Sequence, residues 1–287
     1  AVQIPTPRFP SRHSRDPHCQ LTMTQRELRD VVSFGSKVAV EAGRILKKGI
    51  SGKIKVKFKG KINPVTEFDL KAERYIVSRI KKKYPHHSIQ AEEGQGDKIA
   101  SEYCWVIDPL DGTVNYSHNF PIYAVSIALC IKGEPMAGFV CDPERDELFW
   151  AAKRQGAYLN KNRIIVSNES RLVRSLLSTG FAYNIQTARK NNLGMYARMS
   201  KKAQAVRRSG SAALDLSWVA CGRLDGYWEY YLAPWDTAAG VLIVTEAGGE
   251  ISCINGKKYS IFRNDILASN GKIHHQIRAV LNGNRKR

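Results

Sequence analysis

No apolar stretch in this 287-residue chain approaches the roughly 18 residues that a membrane-spanning helix needs. The longest, residues 123–131, suits a buried strand. The six cysteines contain no C-x-x-C pair, and most sit in apolar runs. That spacing argues against a zinc site or a disulfide framework and for reduced, buried thiols in a cytosol-like compartment. Acidic residues are the minority charge, 26 against 45 lysines and arginines, for a formal net charge of +19. Such a balance favours anionic partners, phosphorylated metabolites and RNA among them, without specifying one. No RNP, KH or helix-turn-helix pattern accompanies it, so nucleic acid stays an open partner that no motif supports. Internal repeats and long linkers are also absent.

Residues 1–22 are rich in Pro, Arg, Ser and His, show no periodicity and read as a disordered extension. They lack the apolar core of a secretory signal. The preferred reading is a cloning scar or translated upstream sequence before Met23; a plastid or other organellar transit remnant is the alternative. From Thr24-x-x-Glu27, a capping box, Leu28, Val31, Val32, Val38, Ala42, Ile45 and Leu46 recur at helical spacing up to Gly49. Residues 53–59 alternate Lys with Ile, Val and Phe, the pattern of a lysine-protected edge strand, with Lys59 or Lys61 as candidates to reach an anion. A second helix begins after Thr66-x-x-Asp69, another capping-box pattern, and closes on Lys81, Lys82 and Lys83. Residues 88–94 read as a strand running into the acidic turn Glu92-Glu93-Gly94.

Residues 105–118, WVIDPLDGTVNYSH, organise the chain. A short apolar strand delivers Asp108 and Asp111, with Pro109 and Leu110 between them and Gly112 and Thr113 behind. Proline has no N–H to donate, so the strand is expected to stop there and present its acids in a loop. Crowded carboxylates repel unless a cation sits between them, and hard oxygen ligands suit Mg²⁺. Asp-Pro and Asp-Gly are also common turn chemistry, and Asp69 could be wholly occupied by capping. Strands over residues 123–131, 136–142 and 147–152 follow with meander spacing. Beyond residue 170 strands and helices alternate: strand 176–180, a helix to about 202, strand 205–209, helix 211–221, strand 224–229, helix 234–247, strand 265–269 and helix 273–281. The expected fold class is therefore layered α/β (α+β), with residues 23–160 and 161–287 as two regions sharing a cleft.

In the second region, PWDTAAGVLIVTEAGG puts Pro234 at a helix start and Asp236 in its first turn, where an acid offsets the dipole. The rest of that helix is apolar nearly all round, hence buried. An acid at the tip of a buried helix would make a rigid ligand. Together with Pro-Val-Thr-Glu-x-Asp at 64–69, Glu-Glu-Gly at 92–94 and Gly-Ser-Ala-Ala at 210–213, these motifs resemble, in order, those of the inositol monophosphatase family of Mg²⁺-dependent, typically lithium-sensitive sugar phosphatases. The resemblance spans residues 24–282. It implies an αβαβα sandwich and two or three Mg²⁺ ions held by Glu92, Asp108, Asp111, Asp236 and the carbonyl of Leu110. It implies that Asp69 and Thr113, with Glu92, serve the attacking water. Gly112 and Thr113 would cradle the phosphate; Gly210, Ser211 and Ala212 would form a substrate loop; Glu229 would bind substrate hydroxyls. Glu93 is balanced between a solvated turn acid and an outer-shell role, and His118 reads as structural or rim.

The chemistry suits such a site. Phosphate monoester hydrolysis is intrinsically among the slowest reactions, and paired metals can activate water, clamp phosphoryl oxygens and stabilise the leaving alkoxide. No Cys or His nucleophile is needed. The implied substrate is a small phosphorylated polyol or sugar, with inositol 1-phosphate first and fructose 1,6-bisphosphate second. Histidinol phosphate and adenosine 3′,5′-bisphosphate rank lower. The implied partner is a second copy, a homodimer in the cytoplasm. An RNA- or ribosome-associated binding protein is the non-enzyme alternative.

Overall fold

The computed structural model describes residues 23–50, 52, 54–59, 63–96, 101–182, 185–188 and 191–283. The extension, Lys53, Lys61 and the Lys59 side chain lie outside the described residues. In chain order the elements are α1 (Gln25–Ile50), β1 (Val56–Lys59), β2 (Asn63–Thr66), α2 (Glu67–Lys83), β3 (Ser88–Ala91), β4 (Tyr103–Asp111), α3 (Thr113–Ser117), β5 (Ala124–Ile131), β6 (Glu134–Asp142), β7 (Glu147–Ala152), β8 (Gly156–Leu159) and β9 (Asn162–Ile164). There follow β10 (Leu176–Thr179), α4 (Leu193–Ser200), β11 (Ala205–Arg207), α5 (Ala212–Ala220), β12 (Gly226–Tyr230), α6 (Pro234–Glu246), β13 (Glu250–Ser252), β14 (Asp265–Ser269) and α7 (His274–Leu281).

Strands β3 to β9 form a seven-stranded sheet in sequence order, antiparallel except for the parallel β3–β4 pair. A five-stranded mixed sheet has the order β11-β10-β12-β14-β13. Helices α1 and α2 cover one face of the large sheet, α5 and α6 fill the space between the sheets, and α4 and α7 cover the outside of the small one. This is a five-layer αβαβα sandwich. It explains why the strands read as continuous apolar runs: both faces are buried. In β4, Trp105 and Ile107 join the α1–α2 core while Val106 joins the core around α5 and α6. In β12, Tyr227 faces the middle layer and Trp228 the outer one. Among the described residues, no helix is long and apolar enough to cross a membrane.

Both capping boxes form. Thr24 and Glu27 bond reciprocally, and Asp69 accepts from the Thr66 N–H at 2.8 Å while the Asp69 N–H donates back to Thr66 Oγ1. The expected helix reaching residue 202 is corrected to Leu193–Ser200; ahead of it the Asn191 side chain donates to the Ala188 carbonyl and the Asn192 side chain to the Gly180 carbonyl. The second correction concerns Pro109. Strand β4 does not stop before it but continues to Asp111, with a register shift between Asp108 and Asp111 against β5. A bulge accommodates the missing N–H. Three residues apart on a regular strand, the two carboxylates would face opposite sides; the bulge is what lets them meet.

Helix α6 is clamped closely. A Cβ added at Gly138 of β6 would lie 2.8 Å from the Ala239 carbonyl, and one at Gly240 would lie 2.6 Å from the Leu216 side chain. Gly138→Ala should therefore destabilise the fold by about 1–3 kcal/mol, read from the denaturant midpoint; an unchanged midpoint would contradict the clamp. Buried His274 bridges Ser252 Oγ (2.8 Å) and Ser269 Oγ (2.9 Å). Burial holds its pKa below the ordinary value, with Glu250 opposing and Arg278 assisting. The folded state thus binds this proton less readily than the unfolded chain. Its contribution to stability is complete above about pH 6.5 and is lost as pH falls below that. Because buried carboxyls with raised pKa act in the opposite sense over this range, the test is the difference between proteins: His274→Gln should gain stability relative to wild type as pH falls from 8 to 5, and a constant difference would count against this role.

Candidate active site

The acids come from three separated elements. Glu92 follows β3, its N–H bonded to the Ile107 carbonyl at 3.2 Å. The turn behind it is anchored by buried Glu73 of α2, whose carboxylate accepts from the N–H groups of Glu93 (2.8 Å) and Gln95 (2.9 Å). Asp108 and Asp111 flank the β4 bulge, 2% and 9% exposed. Asp236 sits in the first turn of α6, where Pro234 starts the helix and the carboxylate accepts from the Ala233 N–H at 2.6 Å.

These groups act on one another. Asp108 has its pKa pushed well up, first by burial and then by Glu92, Asp111 and Asp236. Asp236 is likewise raised by burial, then by Asp111 among others. Burial pushes Asp111 to about 6 against hydrogen bonds that favour its charged form, from Ser211 Oγ (2.6 Å) and the Ala213 N–H (2.7 Å) foremost. Among the described residues no Lys or Arg forms an ion pair with Asp108, Asp111 or Asp236. Nor do any three His, Cys, Asp or Glu side chains among the described residues already stand at metal-holding separations. The acids share a neighbourhood without converging on a point, as expected of like charges whose oxygens are drawn to local N–H and O–H donors. In kind the donor set fits a hard divalent cation: buried oxygens only, with no sulfur or imidazole.

Beside the acids, Thr113 Oγ1 lies 3.1 Å from Asp69 Oδ1 and 3.0 Å from the Leu110 carbonyl. Its single proton can serve only one of them at a time. Asp69 thus keeps its capping duty and reaches the site as well. Burial foremost raises it to about 6, with Glu93 adding and the Thr66 hydrogen bonds opposing. Gly112 has φ +93°, and a Cβ there would lie 2.9 Å from the Ile122 carbonyl, so glycine is required.

A cavity of about 370 Å³ opens on this cluster. It is lined by Asp111 and Asp236 and by four of the residues expected on the substrate side, Gly210, Ser211, Ala212 and Glu229. Glu92, Asp108, Leu110, Thr113 and Asp69 do not line it and connect to it through the contacts above. Glu229 accepts from Tyr227 OH at 2.5 Å. Burial lifts its pKa to about 7, with Asp111 adding to the rise and Tyr227 and Arg208 opposing it. His118 is exposed.

Sequence reasoning missed several contributors. Asn115 donates to the Ile122 and Ser209 carbonyls, both at 2.8 Å, tying the β4 loop to the 209–211 loop. Its position inside the 105–118 motif was the available signal. Tyr227, two residues before Glu229 on β12, shares its face by strand periodicity. Glu73, Arg208 and Asp215 had no local signal.

The sequence profile of the inositol monophosphatase family matches residues 27–285. The inositol-1-monophosphatase of Synechocystis is 49% identical over 218 residues, 76% of each chain. A Pseudomonas aeruginosa protein named Nus factor SuhB is 40% identical over 252 residues, covering 85% of this chain and 93% of its own. The solved structure of inositol monophosphatase from Anabaena (Nostoc) superposes with a TM-score of 0.82 at 41% identity, over 89% of this chain and 96% of that one. Motifs, layers and likeness agree, and the chain belongs to the inositol monophosphatase family.

Proposed function

We propose that this chain is a Mg²⁺-dependent phosphomonoesterase that hydrolyses inositol 1-phosphate to inositol and phosphate. The observation that carries the reading is the cluster of buried Asp108, Asp111 and Asp236 with half-buried Glu92, in which Glu92 and Asp111 raise the pKa of Asp108 and Asp236, beside a cavity that also holds Glu229. Glu92, Asp108, Asp111, Asp236 and the Leu110 carbonyl would hold the ions. Bound there, Mg²⁺ supplies positive charge that polarises the phosphoryl oxygens and lowers the pKa of water.

The protein's own part is positioning and proton management. Asp69 holds the Thr113 hydroxyl, whose lone pairs then orient the attacking water. A carboxyl with a pKa of about 6 is matched to taking up a proton near neutral pH. The Gly112–Thr113 backbone at the start of α3 offers N–H groups to the phosphate. Glu229, braced by Tyr227, binds hydroxyls of the leaving group, and the 210–212 loop closes the substrate side. Fructose 1,6-bisphosphate is a second reading, favoured by Arg208, a cationic side chain on the cavity wall suited to a second phosphate.

Asp108→Asn should lower Mg²⁺-dependent turnover by roughly 10²–10³-fold. It should leave the metal-free protein at least as heat-stable as wild type at pH 7.5, because one repelling buried charge is gone. Retained turnover, or a marked loss of metal-free stability, would sink this assignment. Glu229→Gln should shift preference among phosphorylated polyols more than it shifts the Mg²⁺ requirement. Phosphate release from inositol 1-phosphate, fructose 1,6-bisphosphate, histidinol phosphate and adenosine 3′,5′-bisphosphate, with and without Mg²⁺, checks both; unaltered selectivity would remove Glu229 from substrate recognition.

A further inference from the structure

Helix α5 carries a carboxyl oxygen that the proposed chemistry does not use. Asp215 is 2% exposed, and its Oδ1 has no hydrogen-bond partner. Among the described residues it forms no ion pair. A buried carboxyl oxygen left in this condition is costly, so an orphan of this kind calls for a partner. The residue lines the same cavity as Glu229, Asp111 and Asp236. The Ser178 and Ser209 hydroxyls stand near enough to favour its charged form, while burial and the Glu229 and Asp111 carboxylates oppose it. Asp215 and Glu229 therefore face one space from two elements, α5 and β12. Both are apt for hydroxyl groups: each can accept a hydrogen bond when ionised, and donate one as well when protonated.

We propose that Asp215 is a specificity-determining residue that pairs with Glu229 to bind two neighbouring hydroxyls of the leaving group. The substrate class is then narrowed to phosphorylated polyols with a free vicinal diol next to the ester. This deepens, and rests on, the phosphomonoesterase reading above. The partner missing from Asp215 Oδ1 is a hydroxyl that arrives with the substrate. A site built to bond such a hydroxyl discriminates strongly against analogues that lack it, because its own buried polar group is then left unpaired.

The test compares wild type, Asp215→Ala and Asp215→Asn in Mg²⁺ on two esters, inositol 1-phosphate and phenyl phosphate, which has no hydroxyl on its leaving group. Asp215→Ala should reduce kcat/KM for inositol 1-phosphate by about tenfold or more, chiefly through KM. Its activity on phenyl phosphate should change by less than about threefold, a difference smaller than one lost hydrogen bond. Asp215→Asn, which keeps an acceptor and a donor, should recover part of the loss. Thermal stabilisation by myo-inositol should be present in wild type and absent in the Ala variant. An equal loss on both esters would make Asp215 a packing residue, and no loss on either would assign its partner to a trapped water; each overturns the proposal. Because phenyl phosphate reports folding and the ester-cleaving apparatus in the same tube, the two readings fail separately. Wild type cleaving neither ester refutes the phosphatase reading itself.

Discussion

The structure depends on a repulsion it does not relieve internally. Asp108, Asp111 and Asp236 are removed from water, with Asp111 close enough to raise the pKa of the other two, and form no ion pair with a Lys or Arg among the described residues. Burying charge in this way is costly, and a fold selected for stability alone would have used apolar residues. The cost is tolerable only if something outside the chain carries the compensating charge. A family of phosphatases that is generally Mg²⁺-dependent is consistent with that demand.

The layers exist to hold the acids against that repulsion. Two of them ride on the β4 bulge in the large sheet, and a third on the tip of α6 in the middle layer. The sheet and α6 approach closely at Gly138, α6 and α5 at Gly240, and polar contacts add to the lock: Ser126 Oγ donates to the Trp235 carbonyl, and Glu246 accepts from the Arg154 and Gly156 N–H groups. Beside the apolar core shared with α5 and α6, polar contacts at the site join the halves: Ser211 and Ala213 donate to Asp111, and Asn115 donates to the Ser209 carbonyl. Asp111 and Asp236 therefore belong to the rigid scaffold and to the cavity at once, which is what a site needs if its geometry is to survive exchange of ligands.

Much of this is readable from residue order. Asp-Pro-x-Asp-Gly-Thr and Pro-Trp-Asp carry the acids in local patterns whose chemistry is visible without a fold, and the two-sided burial of β5 and α6 shows in their unbroken apolar runs. The bulge is hidden because Pro109 signals a lost N–H, and only the pairing partner reveals whether a strand stops or shifts register. The 181–202 segment misleads because scattered apolar residues mimic helical spacing while Asn192 takes up side-chain bonds to Thr179 and Gly180. Glu73 and Asp215 are invisible for a different reason. Glu73 sits mid-helix and Asp215 in the first turn of α5, where an acid reads as ordinary dipole chemistry; each acquires a role only when folding brings a distant turn or cavity beside it.

The central claim is that these carboxylates are a divalent-cation site whose protons compete with the metal. Calorimetric titration of metal-free protein with Mg²⁺ at pH 6, in buffers of different ionisation heat, tests it most directly. The account predicts binding with net proton release, since burial raises Asp111 to about 6 and burial with neighbouring carboxylates raises Asp108 and Asp236 well above the ordinary carboxyl value, and affinity that rises with pH. Absence of Mg²⁺ binding, or binding with no proton released at that pH, would contradict it.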